Sequence, residues 1–162
     1  MTYLTVPIAA ENPDQAKKQI TTAKAAGAEM LELRVDYFEN LNVDLVRNLI
    51  SEVKSGRRKK MPIIVTCRDT RQGGVIAYPD RLRVDILVAA LKAGAEFIDF
   101  EYDKFLSSEN QERIRRALSQ APNSRLILSA HNFEAKFPNI AKLYRHIHTS
   151  PCKTAIVNRR AK

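Results

Sequence analysis

The chain has 162 residues, 44% hydrophobic and 28% charged, and its 27 Lys/Arg against 18 Asp/Glu give a formal net charge of +9. That length suggests one domain, residues 1–162, large enough to bury a substantial core. No segment approaches the ~20 apolar residues of a membrane span, the start lacks an export signal, and two distant cysteines, Cys67 and Cys152, make neither a disulfide framework nor a zinc knuckle, so a reducing cytoplasm is the expected location.

In chain order, Tyr3 to Ala9 is a short β-branched and apolar run that predicts a strand. Asn12-Pro13-Asp14 opens a helix through about Ala26, with Asn12 as cap, Pro13 at the first position and Gly27 as the stop. Met30 to Val35 predicts a second strand, and Leu41 to Lys54 a helix ending at Ser55-Gly56. The run Arg57-Arg58-Lys59-Lys60 follows; without interleaved aromatics it reads as a solvated loop rather than a nucleic-acid tract. Pro62 to Cys67 is a third strand, with Cys67 expected to be a buried thiol. A helix from Asp80 to Ala93 stops at Gly94, Phe97 to Phe100 is a fourth strand, and Ser107 to Gln120 a helix with a capping start. Arg125 to Ser129 is a fifth strand, Phe137 to His148 a helix with Pro138 near its start, and Thr154 to Val157 a sixth strand.

Strands alternating with helices imply an α/β fold with a parallel sheet and right-handed crossovers. An internal echo sharpens this. Ala25-Ala26-Gly27-Ala28-Glu29-Met30 resembles Lys92-Ala93-Gly94-Ala95-Glu96-Phe97, and both segments pass from a helix end through Gly into a strand carrying acidic residues. Repetition at two βα units favours a (β/α) barrel over an open doubly wound sheet. No GxGxxG or P-loop is present, and the Gly73-Gly74 pair is not a nucleotide signature.

Charges on buried strands carry the functional reading. Along Met30-Leu31-Glu32-Leu33-Arg34-Val35-Asp36, alternation puts Glu32, Arg34 and Asp36 on one face, which in a barrel is the interior. Three charges there must pair with one another, as a structural ion layer, or bind a polar ligand. Arg68 closes the third strand at the end where barrel active sites open, and its planar fork suits a carboxylate. Arg71, Gln72, Gly73 and Gly74 continue as a loop that the glycines could let move, and Asp99 and Glu101 are candidate partners for the arginines. His131, just past the apolar run Leu126 to Leu128, is the candidate general acid–base; a structural histidine is the alternative at that position.

Together these stretches resemble type I 3-dehydroquinate dehydratase, a lyase of the shikimate pathway of aromatic amino acid biosynthesis. The likeness rests on Glu32-Leu33-Arg34-Val35-Asp36, Thr66-Cys67-Arg68 through Gly73-Gly74, Phe97-Ile98-Asp99-Phe100-Glu101 and Ser129-Ala130-His131-Asn132-Phe133. It implies a (β/α)8 TIM barrel, incomplete here at about six βα units. It also implies conversion of 3-dehydroquinate to 3-dehydroshikimate and water through a lysine imine (Schiff base), with no metal and no cofactor. Glu32, Arg34 and Arg68 would hold the small-molecule substrate, His131 would act as general acid–base, and Gln72 would lie on the loop near the site.

Three departures qualify the resemblance. The family usually has an acidic residue at Gln72 and Asp at Asn132. The imine lysine belongs on the sixth strand; Lys153 is the candidate, yet it precedes Thr154, and the position that aligns falls near Asn158-Arg159, where arginine cannot form an imine. A chain of six units reads as C-terminally truncated, with an apolar flank that a homodimer or a partner would cover. The alternative reading is therefore a catalytically dead remnant that binds a small anionic ligand or a partner protein. A nucleic-acid partner is not expected, since no RRM, KH or helix-turn-helix signature is found.

Overall fold

Asparagine side chains decide where three of the helices begin. In the computed structural model, which describes residues 2–55, 61–149 and the backbone of 154–157, helix α1 (Pro13–Ala25) starts behind Asn12, whose Oδ1 accepts from Gln15 N at 3.0 Å. Helix α2 (Val43–Lys54) starts behind Asn42, which accepts from Leu45 N at 2.9 Å, so Leu41, where the sequence predicts the helix to begin, lies outside it. Helix α6 (Ile140–His148) starts behind Asn139, which accepts from Lys142 N at 2.8 Å. It begins three residues later than predicted because Pro138 disfavours helical backbone at Phe137.

The remaining elements are strands β1 (Thr5–Ile8), β2 (Met30–Arg34), β3 (Ile63–Thr66), β4 (Phe97–Glu101), β5 (Arg125–Ser129) and β6 (Thr154–Val157), and helices α3 (Asp80–Lys92), α4 (Tyr102–Phe105) and α5 (Ser108–Ser119). The one-turn α4 was not predicted, and β1 is shorter at both ends than the apolar run suggests. All six strands are parallel and lie in the order β1-β2-β3-β4-β5-β6. Each of β1 to β5 is followed by at least one helix before its neighbour, the geometry of a partial (β/α) barrel. The echo in the sequence is structural: Gly27 and Gly94, which end α1 and α3, both hold left-handed backbone, at φ 88° and 87°.

The core lies between the sheet and the helices. Leu31, Leu33, Ile63, Val65, Ile98, Phe100, Leu126 and Leu128 alternate along the strands and are fully buried. Opposite them α2 buries Val46, Leu49, Ile50 and Val53, a stripe at i, i+3, i+4 and i+7. Helix α1 buries Ala16, Ile20 and Ala23. The other face of the sheet carries Glu32, Thr66, Asp99 and Ser129, all buried.

One sequence expectation fails on this face. Asp36 does not continue the alternation of β2, because the chain leaves the strand after Arg34 and turns through a 3-10 turn, Val35–Tyr37. Asp36 is fully buried there and reaches Arg34 from the turn rather than from the strand.

Candidate active site

The residues with inward parity on β2 to β5 form a satisfied polar floor. Thr66 Oγ1 donates to Glu32 Oε1 at 2.9 Å. Arg68, two residues past β3, donates through both terminal nitrogens to the Asp99 carboxylate at 2.9 and 3.0 Å, and to Ser129 Oγ at 2.6 Å. Ser129 in turn donates to Asp99 Oδ1 at 2.6 Å. Glu101, at the end of β4, accepts from Arg68 at 3.3 Å, from Asp69 N at 2.9 Å, and from Arg83 Nη2. Arg83 comes from α3, is 1% exposed, and also donates from Nε to Cys67 O at 2.9 Å. Asp99 and Glu101 thus partner the arginines as the sequence suggests. Among the described residues no buried side-chain polar atom lacks a partner.

Electrostatics follow from this packing. Burial opposes the charge of Arg68, but Asp99, Glu101 and Glu32 around it more than offset that, and the guanidinium is held above its ordinary value. Arg34 is raised in the same way, with burial outweighed by Asp36 and Glu32. Glu32 therefore acts on both Arg34 and Arg68. Burial pushes the Cys67 thiol up to about 12, which leaves it an inert core group.

Above the floor, the loop after β3 ties the two sides of the mouth together. Arg34 is clamped by Asp36 (Nε to Oδ1 2.9 Å, Nη2 to Oδ2 2.8 Å) and donates to Gly73 O at 3.2 Å. Gln72, in a 3-10 turn (Thr70–Gln72), accepts at Oε1 from His131 N at 2.9 Å. Its Nε2 donates to Asp103 Oδ1 at 2.9 Å. The two glycines expected to loosen this loop are fitted closely: a Cβ on Gly74 would lie 2.1 Å from Arg68 O, and one on Gly73 would lie 2.7 Å from the Phe133 ring. Glycine here serves close backbone approach.

His131 follows Ser129 with the same parity and stands at the C-terminal end of β5. Its ring lies parallel to that of Phe133, with centroids 6.3 Å apart. It faces an open cleft of about 420 Å³ whose wall includes Gln72, Tyr102, Asp103, Lys142 and His146. Asn132 does not hold the imidazole through its amide oxygen, which instead accepts from Glu134 N and Ala135 N, both at 3.0 Å.

The structure therefore gathers Arg34, Gln72 and His131 around one loop and sets Glu32 and Arg68 in the floor beneath. Lys153, the run Arg57-Arg58-Lys59-Lys60, Cys152 and Asn158-Arg159 lie outside the described residues. Three participants escaped the sequence reading. Arg83 had a signal, since it falls four and seven residues before Leu87 and Ala90 on the buried face of α3. Asp103 and Lys142 had none beyond charge.

Comparison with known proteins bears on this arrangement. A family model described as type I 3-dehydroquinase matches residues 4–157. The chain is 36% identical over 113 residues to a pentafunctional AROM polypeptide of Kluyveromyces lactis, covering 69% of this chain and 7% of that one. It is 32% identical over 118 residues to a 3-dehydroquinate dehydratase of Desulfotalea psychrophila, covering 72% of this chain and 46% of the other. The chain thus spans less than half the length of these relatives. Its fold matches the crystal structure of a type I 3-dehydroquinate dehydratase from Clostridium difficile at TM-score 0.80 and 21% identity, over 98% of this chain and 64% of that one. It also matches a 3-dehydroquinate dehydratase from Geobacillus kaustophilus at TM-score 0.75 and 18% identity, over 95% and 60%.

Proposed function

Since the chain belongs to the type I 3-dehydroquinase family, we propose that it carries the substrate-binding and acid–base half of a dehydratase site that converts 3-dehydroquinate to 3-dehydroshikimate and water. The observation that supports this most directly is the loop that joins Arg34, through Gly73 O, to His131, through Gln72 Oε1. It sets a cation and an imidazole on opposite sides of one mouth, at the strand ends where barrels do chemistry.

In this reading Glu32 and Arg34 hold the substrate hydroxyls and carboxylate, with Arg68 beneath them. A lysine amine adds to the ketone and loses water to give an imine. The imine draws in the electron pair of the adjacent C–H bond, the β-hydroxyl leaves as water, and hydrolysis returns the lysine. His131 moves the protons of imine formation, elimination and hydrolysis. The proposed imine lysine is Lys153. The setting proposed for the protein is a reducing cytoplasm, as a single domain and a homodimer, on a small molecule without metal, cofactor or nucleic acid; among the described residues no helix is long and apolar enough to cross a membrane.

A second reading has its own support. The fork of Arg68 is already occupied by Asp99, and the described strand β6, Thr154-Ala155-Ile156-Val157, contains no lysine. Under that reading the chain binds a small anion, or a partner, without turning substrate over. Borohydride reduction in the presence of 3-dehydroquinate separates the two. A reduced adduct that maps by mass to Lys153 supports the enzyme. A folded protein that binds the substrate but yields neither adduct nor product establishes the binding-only reading.

A further inference from the structure

The cleft beside His131 contains a short hydrogen-bonded chain whose direction is fixed at both ends. Gln72 has one acceptor end and one donor end, and the amide can in principle present either to the imidazole. Two neighbours remove that choice. Asp103 is an ionised carboxylate that can only accept, so it takes Nε2 at 2.9 Å. The backbone N–H of His131 can only donate, so it takes Oε1 at 2.9 Å. The same Oε1 lies 3.4 Å from His131 Nδ1. An amide oxygen accepts and never donates, so a hydrogen bond across this contact requires the hydrogen on Nδ1.

We infer that Asp103 is a positioning residue which, by orienting the Gln72 amide, holds neutral His131 as the Nδ1–H tautomer and leaves Nε2 with the lone pair. This deepens the reading of His131 as the proton carrier and rests on it, because the tautomer determines which nitrogen takes a proton from the reacting molecule. It also gives the uncharged Gln72 a distinct role. An acidic side chain at 72 would favour the doubly protonated imidazolium and would repel Asp103, whereas the amide orders the neutral ring without charging it. The other ionisable groups on the cleft wall are Tyr102, beside Asp103 on α4, and Lys142 and His146 on α6. The Lys142 cation disfavours a second proton on His131 and so acts in the same direction as the neutral amide.

The test reads the ring and needs no substrate. Nitrogen-15 spectra of uniformly labelled protein at about pH 8, above the ordinary imidazole range, report each ring nitrogen as protonated or bare. The chain has three histidines, so a His131→Gln spectrum identifies the signals of His131 by subtraction. The wild type is expected to show a protonated Nδ1 and a bare Nε2. Asp103→Ala is expected to raise the share of the opposite tautomer about tenfold, the lower end of the value of one hydrogen bond to a charged group. Asp103→Asn, which keeps an acceptor oxygen, is expected to restore the wild-type spectrum. Gln72→Glu should leave His131 doubly protonated at a pH where the wild type is neutral. A wild-type ring protonated at Nε2, or an Asp103→Ala spectrum identical to wild type, overturns the inference. Neither result touches the dehydration reading, which stands or falls on the borohydride experiment.

Discussion

Ser129 ends β5 and His131 lies two residues beyond it, yet they belong to regions satisfied in opposite ways. Ser129 sits in the Arg68–Asp99–Glu101–Arg83 cluster, where the donors meet carboxylates within the protein and the side chains are almost wholly removed from water. His131 lines an open cleft and is held by a loop and a stacked ring. The first region is complete without any ligand, and its chemistry goes into fixing β3, β4 and α3 relative to one another. The second has directed groups facing open space. Buried charge alone is therefore a poor marker of an active site in this sheet; the useful marker is ordered polarity that still has somewhere to reach.

Substitutions in the two regions should separate accordingly, most strongly in the cluster. Glu101→Leu removes the buried carboxylate that Arg68 and Arg83 share, leaving Arg68 to Asp99 and Arg83 to Asp80 and Asp69; breaking a buried pair costs ~3–5 kcal/mol, urea unfolding should show a loss toward that size, and a loss below ~1 kcal/mol would mean the cluster is more hydrated than its burial indicates. Gly74→Ala drives a methyl into the Arg68 carbonyl, 2.1 Å away. Overpacking of that kind costs ~1–3 kcal/mol and should lower the urea midpoint while spreading the loop away from Arg34.

The junction between the regions should respond to acid. Asp69 is held well below its ordinary 3.8, first by the Arg71 hydrogen bond and then, against burial, by the Arg71 backbone and by Arg83. Its folded value lies below its unfolded one, so its contribution is fully present above about pH 4 and is lost as pH falls toward the folded value. The stability gap between wild type and Asp69→Asn should therefore be flat above that point and narrow below it. The smallest stability effect is expected at His131: His131→Gln should shift unfolding by no more than ~0.5 kcal/mol. The same substitution should reduce any 3-dehydroquinate turnover by ~10²–10⁴-fold. A large stability loss there would merge the two regions and weaken the functional reading.

How much of this was written in the sequence depends on how local the cause is. Period-two alternation places Glu32 on the inner face, and the Gly27 and Gly94 stops reveal the repeating βα unit. Alternation fails at Asp36 because it assumes the strand continues, and the turn at Val35 rotates the next side chains out of register. The start of α6 was misread because an apolar pattern beginning at Phe137 outweighed the restriction that Pro138 imposes. The Gln72–Asp103 contact was illegible for a different reason. It joins a loop to a four-residue helix 31 positions away, and one helical turn is too short to show a period.

The strictly consecutive strand order has a consequence for how the molecule is made. Each strand from β2 to β6 hydrogen-bonds to the one synthesised just before it, across one helix or, between β4 and β5, two. The closures needed between these neighbours are therefore short. As the polypeptide leaves the ribosome, every new βα unit meets an edge already in place, so the sheet can be laid down one unit at a time during translation.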